Sequence, residues 1–358
     1  MVTIKDIARE AGVSISTVSF AFNGTAPVAP ETKARIMEVI KRLNYQPNSA
    51  ARGLVTRKTN SVCLFTPHPA TDFFSFSGNN DFNGLLQGIG EVLDHKDYNL
   101  LLAWDSLGHK TKTPKLVKLM RERAMDGVLI CLPEHDFQTI EELTEQNFPV
   151  VIVGSNSQAN RVNSVDVDNY EISYKNTRHL LGLGHRRIAF ISPGPLNYLV
   201  CEDRYEGFKD AMEEAGLRLR DDYLYIGDEK EQSGYKAAEH FLTLKEPPTA
   251  LVAGRDAQAV GVIDYARAHG TSVPGDLAIV SFENSAAAVK YGISSATTNL
   301  YEIGKEGARL MLKLLGRKKD RAPQNVVIPS ELVVRESCGG RSSALNADVK
   351  AEADADQA

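Results

Sequence analysis

Cysteine is scarce in this 358-residue chain: there are four, and no two stand in a Cys-x-x-Cys spacing. Cys63 and Cys131 lie inside the apolar runs Val62–Phe65 and Val128–Leu132, so they read as buried thiols of a cytosolic protein, not as disulfide or zinc partners. The eight histidines include no His-x-x-x-His pair and no His/Cys cluster, so neither a metal site nor any other cofactor is expected. Isolated His179 and His185 read as helix-end residues, not as catalytic groups. Gly-x-Ser-x-Gly elbows, phosphate-binding loops and strand-linked Gly-x-Gly-x-x-Gly turns are all missing, which leaves an enzyme without its usual machinery. No window approaches the ~18 unbroken apolar residues of a membrane span. Met1–Asp6 carries charges where a signal peptide has its apolar run, so a cytoplasmic protein is expected, neither exported nor membrane-bound.

What is present is an ordinary soluble composition, 42% apolar and 24% charged, long enough for two or three domains at roughly 150 residues each. The formal net charge of −5 by itself argues against a nucleic-acid partner. It conceals an asymmetry. Residues 1–60 hold nine Lys/Arg against four Asp/Glu, a net of +5, and the remainder of the chain holds a net of −10. A basic head on an acidic body is a different object from a uniformly acidic protein.

From residue 60 onward, short Val/Ile/Leu-rich runs alternate with amphipathic stretches such as the one carrying Leu85, Leu86, Ile89, Val92 and Leu93. Runs of four to six apolar residues suit strands buried on both faces, and their alternation with helices implies parallel sheets. Strand starts near 61, 99, 127 and 149 are echoed near 186, 223, 249 and 277, so the body reads as two copies of one α/β lobe. Two lobes imply a cleft, and open parallel sheets bind ligands beyond their strand C-termini.

Residues 1–58 contain no strand-like run and read as three helices. Thr3 and Asp6 can form a capping box for the first, and Gly12-Val13 breaks it. Ser14 caps a second helix from Ile15 to about Phe22. Pro30 and Glu31 open a third, ending near Leu43, and compensate for Ala29, a poor N-cap. Two short helices joined by Ala11-Gly12-Val13-Ser14 have the spacing of a helix-turn-helix, with Val18 and Ala21 inward and Ile15, Ser16, Ser19, Phe20 and Asn23 outward. The bland alternative is a three-helix cap with no nucleic-acid role. The last residues, 337–358, read as a disordered tail.

The run Val2–Ser19 (VTIKDIAREAGVSISTVS) resembles the N-terminus of the lac/gal repressor (LacI/GalR) family of bacterial transcription regulators. Leu43–Asn48 with Ala51–Leu54, Val273–Phe282 (VPGDLAIVSF) and Pro329–Glu336 (PSELVVRE) resemble later landmarks of that family, so the likeness spans residues 2 to about 337. The resemblance implies an all-α helix-turn-helix head and an α/β body of two Rossmann-like parallel-sheet lobes, similar to a periplasmic binding protein. It implies a head over 1–58 with a hinge helix at about 48–57. The body would cover 60–336, with an N-lobe of about 60–165 and 297–326 and a C-lobe of about 166–296 and 327–336. The chain would then cross between lobes near 164–168, 295–299 and 325–329.

The same resemblance implies roles. Ile15, Ser16 and Phe20 occupy base-reading positions; Thr17, Ser19 and Asn23 contact phosphate or support the helix; Thr3, Asn48, Ala51 and Arg52 join the DNA surface. Leu54 would wedge into a minor-groove step. Phe20 stands where arginine is common, which exchanges a bidentate contact to guanine for an apolar contact such as a thymine methyl. Arg204 matches the family's ligand-binding arginine, although an ion pair with Glu202 or Glu206 is an alternative use for it. Arg255-Asp256 replaces a common Asn-Asp, Glu283-Asn284 replaces Asp-Asp, Gly154 replaces an aspartate, and Glu229 sits where relatives place a stacking aromatic. An Arg255–Glu283 pair is one possible result. Phe73, with Phe74 and Phe76, follows the first strand at the cleft mouth, either stacking on a sugar or packing in a lid or the core. The implied protein is a homodimeric repressor of carbohydrate genes that binds a pseudo-palindromic double-stranded operator and is switched by a small carbohydrate-like effector. A solute-binding module without a DNA role predicts a signal peptide and no basic head; an α/β enzyme predicts a nucleophile, metal or phosphate loop.

Overall fold

The computed structural model describes residues 2–23, 26–45, 58–66, 80–104, 115–131, 138–155, 162–316 and 322–340. The chain divides into two compact units, residues 1–60 and 61–358.

The first unit contains α1 (Ile4–Ala11), α2 (Ile15–Asn23) and α3 (Pro30–Arg42). Thr3 opens α1: its N–H and its hydroxyl both donate to the Asp6 carboxylate, at 3.0 and 2.7 Å. These bonds hold the Asp6 carboxyl below its ordinary range, the Thr3 side chain contributing most. Gly12 ends α1 in the left-handed region at φ 62°, which a side chain rarely adopts, and lets Val13 N–H reach back to the Ala8 carbonyl at 3.0 Å. Ser14 caps α2 by accepting from Thr17 N–H at 3.1 Å. Ile7, Ala8, Ala11, Val18, Ala21, Ile36 and Val39 form the core of this unit, the last two following the helical period of α3.

The second unit holds two six-stranded sheets. The first comprises β1 (Ser61–Thr66), β2 (Asn99–Trp104), β3 (Gly127–Cys131), β4 (Val150–Val153), β5 (Asn163–Asp166) and β11 (Asn325–Val327), in the order β11-β5-β4-β3-β1-β2, all parallel. The second comprises β6 (Ile188–Ser192), β7 (Leu224–Ile226), β8 (Ala250–Ala253), β9 (Ala278–Glu283), β10 (Ser294–Thr297) and β12 (Leu332–Val333). Its order is β12-β10-β9-β8-β6-β7, parallel except for β12 against β10. Reading inward from each far edge gives the same doubly wound order, so the two lobes are copies in strand order as well as in spacing, apart from the antiparallel edge strand β12.

Helices α4 (Asn80–Asp94), α5 (Lys115–Arg121) and α6 (Gln138–Glu145) follow strands of the first sheet. Helices α7 (Asn169–Gly182), α8 (Leu199–Glu214), α9 (Glu231–Leu242), α10 (Asp256–Ala268) and α11 (Ala286–Tyr291) belong to the second, and α12 (Leu300–Leu315) returns to pack on α4. The α4–α12 contact depends on glycine. A Cβ at Gly88 would collide with the Tyr301 carbonyl, and one at Gly304 with the Leu85 carbonyl. Leu85, Ile89, Ile303 and Met311 fill the seam so formed.

The chain passes between the sheets after β5, after β10 and after β11. The third passage lies in residues 328–331, because β11 pairs with β5 through Val327. The body also continues past residue 336. Ser337 and Cys338 are buried, and the Ser337 hydroxyl donates to the Ile279 carbonyl at 2.7 Å while accepting from Ser294 N–H at 2.8 Å. These small side chains satisfy backbone groups at the strand ends and tie residues 337 and 338 to the body. Among the described residues no helix is long and apolar enough to cross a membrane.

Candidate functional site

In the head, α2 presents Ile15, Ser16, Phe20 and Phe22 outward, with Ile15 45% and Phe20 39% exposed. Val18 and Ala21 are buried beneath. Thr17 and Ser19 are half-buried, and the Thr17 hydroxyl lies 2.8 Å from that of Ser14, so it supports the turn. Thr3 is exposed at the start of α1. Phe22 is an exposed aromatic that the motif reading did not single out; only its local burial reveals it. Asn23 ends α2. Asn48, Ala51, Arg52 and Leu54, and with them the hinge helix, lie outside the described residues, as does Phe73.

In the body, the candidate ligand groups gather beyond the C-terminal ends of β6, β7, β8 and β9. Arg204, on α8, is 7% exposed. Its Nε donates to Asn169 Oδ1 at 2.9 Å, its Nη1 donates to the Gly254 carbonyl at 2.6 Å, and its guanidinium lies 4.2 Å from the Phe282 ring centroid. Neither Glu202 nor Glu206 pairs with it; Glu206 accepts from Lys209 instead. Burial, then the neighbouring Arg255 charge, pulls the Arg204 pKa below its usual value. Nη2 donates to none of the described groups. A planar donor fixed through Nε and Nη1, with Nη2 uncommitted among the described residues, suits a ligand oxygen.

Behind Arg204, Asn169 also donates its amide to Asp166 Oδ2 at 2.7 Å. Asp166 is 2% exposed, and burial raises its carboxyl to about 7, against the lowering effects of the Val167 N–H and of Arg204. The relay Asp166–Asn169–Arg204 joins the first passage between lobes to the ligand groups. Nothing local in the sequence marks Asn169 or Asp166, since they meet Arg204 only through the fold.

Arg255 forms two ion pairs. Its Nη1 donates to Glu283 at 2.5 Å and its Nη2 to Glu229 at 2.7 Å. The pairing considered for Arg255 and Glu283 is thus present, and Glu229 joins it. Glu283 adopts φ 107° and Asn284 φ 54°, an uncommon conformation held by Arg335, which donates to Asn284 Oδ1 at 2.5 Å, and by Asn284 N–H donating to Ser295 at 2.9 Å. Asp256 does not belong with the ligand groups. It is 1% exposed, and its carboxylate accepts from the Ser281 hydroxyl, from the Ser295 hydroxyl at 2.6 Å and from Ser285 N–H at 2.7 Å. Its place in the first turn of α10 turns it into the lobe, where it braces the ends of β9 and β10. A pocket of about 570 Å³ adjoins Glu283, lined also by Gly84, Asn284, Thr297–Tyr301 and Pro329–Glu331, so it spans two of the three passages between lobes.

Residues 3–48 match the model of bacterial regulatory proteins of the lacI family, and residues 177–338 that of a periplasmic binding protein-like domain. Catabolite control protein A of Priestia megaterium is 33% identical over 342 residues, covering 94% of this chain and 99% of that protein. This chain belongs to the lacI family. Another member, the HTH-type transcriptional repressor PurR of Yersinia enterocolitica, is 31% identical over 94% of this chain and 97% of its own length. Among solved structures, the transcriptional regulator CelR in complex with cellobiose is 28% identical, with a TM-score of 0.70 over 94% of this chain and 100% of that one. This lacI-family protein is therefore a DNA-binding transcriptional regulator, not an enzyme.

Proposed function

We propose that this regulator is a cytoplasmic homodimer that represses carbohydrate-utilisation genes and is switched by a small sugar-like effector. The observation that carries the effector half of this reading is Arg204, buried and fixed through Nε and Nη1, with Nη2 donating to none of the described groups, at the strand ends of a two-lobed body. The CelR complex with cellobiose, similar over nearly the whole chain, supports a carbohydrate. The names catabolite control protein A and transcriptional repressor PurR support gene control by repression. Each dimer would place two α2 helices, through Ile15, Ser16 and Phe20, in successive major grooves of a pseudo-palindromic operator. Thr3, Thr17, Ser19, Asn23, Asn48, Ala51 and Arg52 would line the backbone, and Leu54 would wedge the central step. The effector would bind against Arg204, Arg255, Glu229, Glu283 and Phe73, and bias the lobe arrangement. Moving an equilibrium from 1:99 to 99:1 requires about 10⁴-fold preference for one state.

The test is a thermal-shift screen of the full-length protein against mono- and disaccharides, followed by operator-binding titrations with each hit. A binding sugar raises Tm by mass action and changes operator affinity. Sugars that leave both Tm and operator affinity unchanged across the screen would overturn the carbohydrate assignment.

A further inference from the structure

We infer that Asn169 and Asp166 are positioning residues for the effector arginine: Asn169 aims Arg204 at the ligand, and the protonation state of Asp166 decides how firmly Asn169 is held, so effector affinity falls in acid. The inference rests on the effector reading above and adds a regulation of that site.

Arg204 is held from α7 at both its ends. Asn169, in the first turn of α7, accepts from its Nε at 2.9 Å, and one turn later the Ser173 hydroxyl donates to its backbone carbonyl at 2.5 Å. All three residues are buried. With Nε on Asn169 and Nη1 on the Gly254 carbonyl, Nη2 is uncommitted among the described residues. An amide serves a guanidinium only through its oxygen, because the amide nitrogen is a donor. The other end of Asn169 fixes that orientation: its Nδ2 donates to Asp166 Oδ2 at 2.7 Å. Asp166 lies where two passages between the lobes meet. It ends β5, at the first passage, and its backbone carbonyl accepts from the N–H of Ile328, at the start of the third, at 2.8 Å.

An ionised Asp166 only accepts, so it holds Nδ2 by a charge-assisted bond and leaves Oδ1 facing Arg204. A protonated Asp166 loses that charge and gains an O–H, which competes with Arg204 for Asn169 Oδ1. The proton is exchanged with water, and no covalent bond to carbon changes. Burial raises this carboxyl to about 7; the Val167 N–H and Arg204 oppose the rise, and Asp203 on α8 adds to it. Cys131, at the end of β3, also faces Asp166, but burial pushes its thiol up to about 12, so it stays neutral across this range. The strands that flank β5, β4 and β11, carry no titratable residue. The relay therefore changes state near neutral pH, with its ordered form on the alkaline side.

The test has two readouts on the full-length protein. The first needs no effector. With isotope-labelled arginine, the Arg204 Nε–H resonance, identified by its loss in Arg204→Lys, is followed by NMR across neutral pH. It should titrate with a midpoint near 7 in the wild type and stay flat in Asp166→Asn, which keeps an acceptor oxygen for Asn169 and has no proton to lose in this range. The second is calorimetry with glucose, galactose and cellobiose at pH 6 and pH 8. A probe that binds should be at least threefold weaker at pH 6, up to a ceiling of about tenfold for one proton titrating near 7. Asp166→Asn should abolish this difference. Asn169→Ala should weaken the probe at least tenfold at pH 8 and abolish the difference as well. Ser173→Ala removes a buried bond to the Arg204 backbone alone; it should lower Tm and keep the wild-type pH dependence, which separates positioning from general loss of structure. The wild-type profiles stand even if a variant folds poorly. A resonance that does not titrate in the wild type, or that titrates equally in Asp166→Asn, overturns the relay. So does a probe that binds the wild type equally at both pH values, or binds folded Asn169→Ala unchanged, and in each case the effector reading is left intact. Failure of every probe at both pH values overturns the effector reading itself, and the positioning role with it.

Discussion

Phe20 and Asp166 show how single side chains set behaviour at two distant places in the sequence. Phe20 stands on the exposed face of α2 where arginine is common in the family. An aromatic edge offers base pairs only apolar contact, so the preferred base there should carry a methyl group, as thymine does. In a selection from a randomised operator library, Phe20→Arg should move the preference at the facing position toward guanine, by about 1–3 kcal/mol of discrimination. An unchanged consensus would refute base reading by this residue. Asp166 makes a pH prediction. Its carboxyl is raised to about 7 in the folded chain by burial, against the unfolded value near 3.8. Between those values the folded state holds a proton that the unfolded state has released. This group therefore favours folding at the acidic end of the window and loses that contribution as pH rises through about 7. In urea denaturation of the wild type and Asp166→Asn from pH 4 to 8, the variant should lack this downward trend, a difference on the order of a few kcal/mol across the window. Parallel curves would show that Asp166 does not hold the proton.

At the scale of elements, the seam between α4 and α12 depends on the absence of side chains. Gly88 faces the Tyr301 carbonyl and the Lys305 N–H, backbone groups that cannot swing aside. Gly90, on the same helix, has open space around its would-be Cβ. Gly88→Ala should cost about 1–3 kcal/mol through overpacking, whereas Gly90→Ala should stabilise the helix by up to about 1 kcal/mol through propensity. Chemical denaturation of the two variants checks this, and equal effects would mean that the seam is looser than its backbone contacts indicate. The helix-turn-helix rests on similarly local devices, the Thr3–Asp6 bonds, the left-handed Gly12 and the Ser14 cap, which explains why its boundaries could be read from residue order.

For the whole molecule, the opposition of charge is the physical basis of partner choice. The head carries +5 and the remainder −10, so phosphate attraction is confined to one end of the sequence. The logarithm of operator affinity should fall linearly with the logarithm of salt concentration, with a slope of about −0.9 per phosphate neutralised. Replacing Lys33 and Arg35 by glutamine tests which head cations contribute, each true phosphate contact reducing the slope by about one. A salt-independent affinity would exclude phosphate contacts as its source. The division also explains why a mean charge of −5 misleads: an average over the chain has no meaning for a partner that touches one unit.

The sequence by itself determined what depends on near neighbours. Capping, helical period and apolar runs act over three to eight residues, and they placed the three head helices, most strands and the doubling of the lobe. It also supplied the inventory of charged residues at the strand ends. Tertiary structure decided how that inventory is used. Arg255, Glu229 and Glu283 come from three strand ends and meet only because parallel strands bring their C-termini to one edge of the sheet. Asp256, adjacent to Arg255 in sequence, turns the other way and is consumed by three internal donors. Asn169 and Asp166 become partners of Arg204, and the two-residue β12 finds its antiparallel place against β10, through contacts that no local pattern encodes. Interactions between residues far apart along the chain are fixed by packing, and only the folded chain reveals which charges are spent and which are left for a ligand.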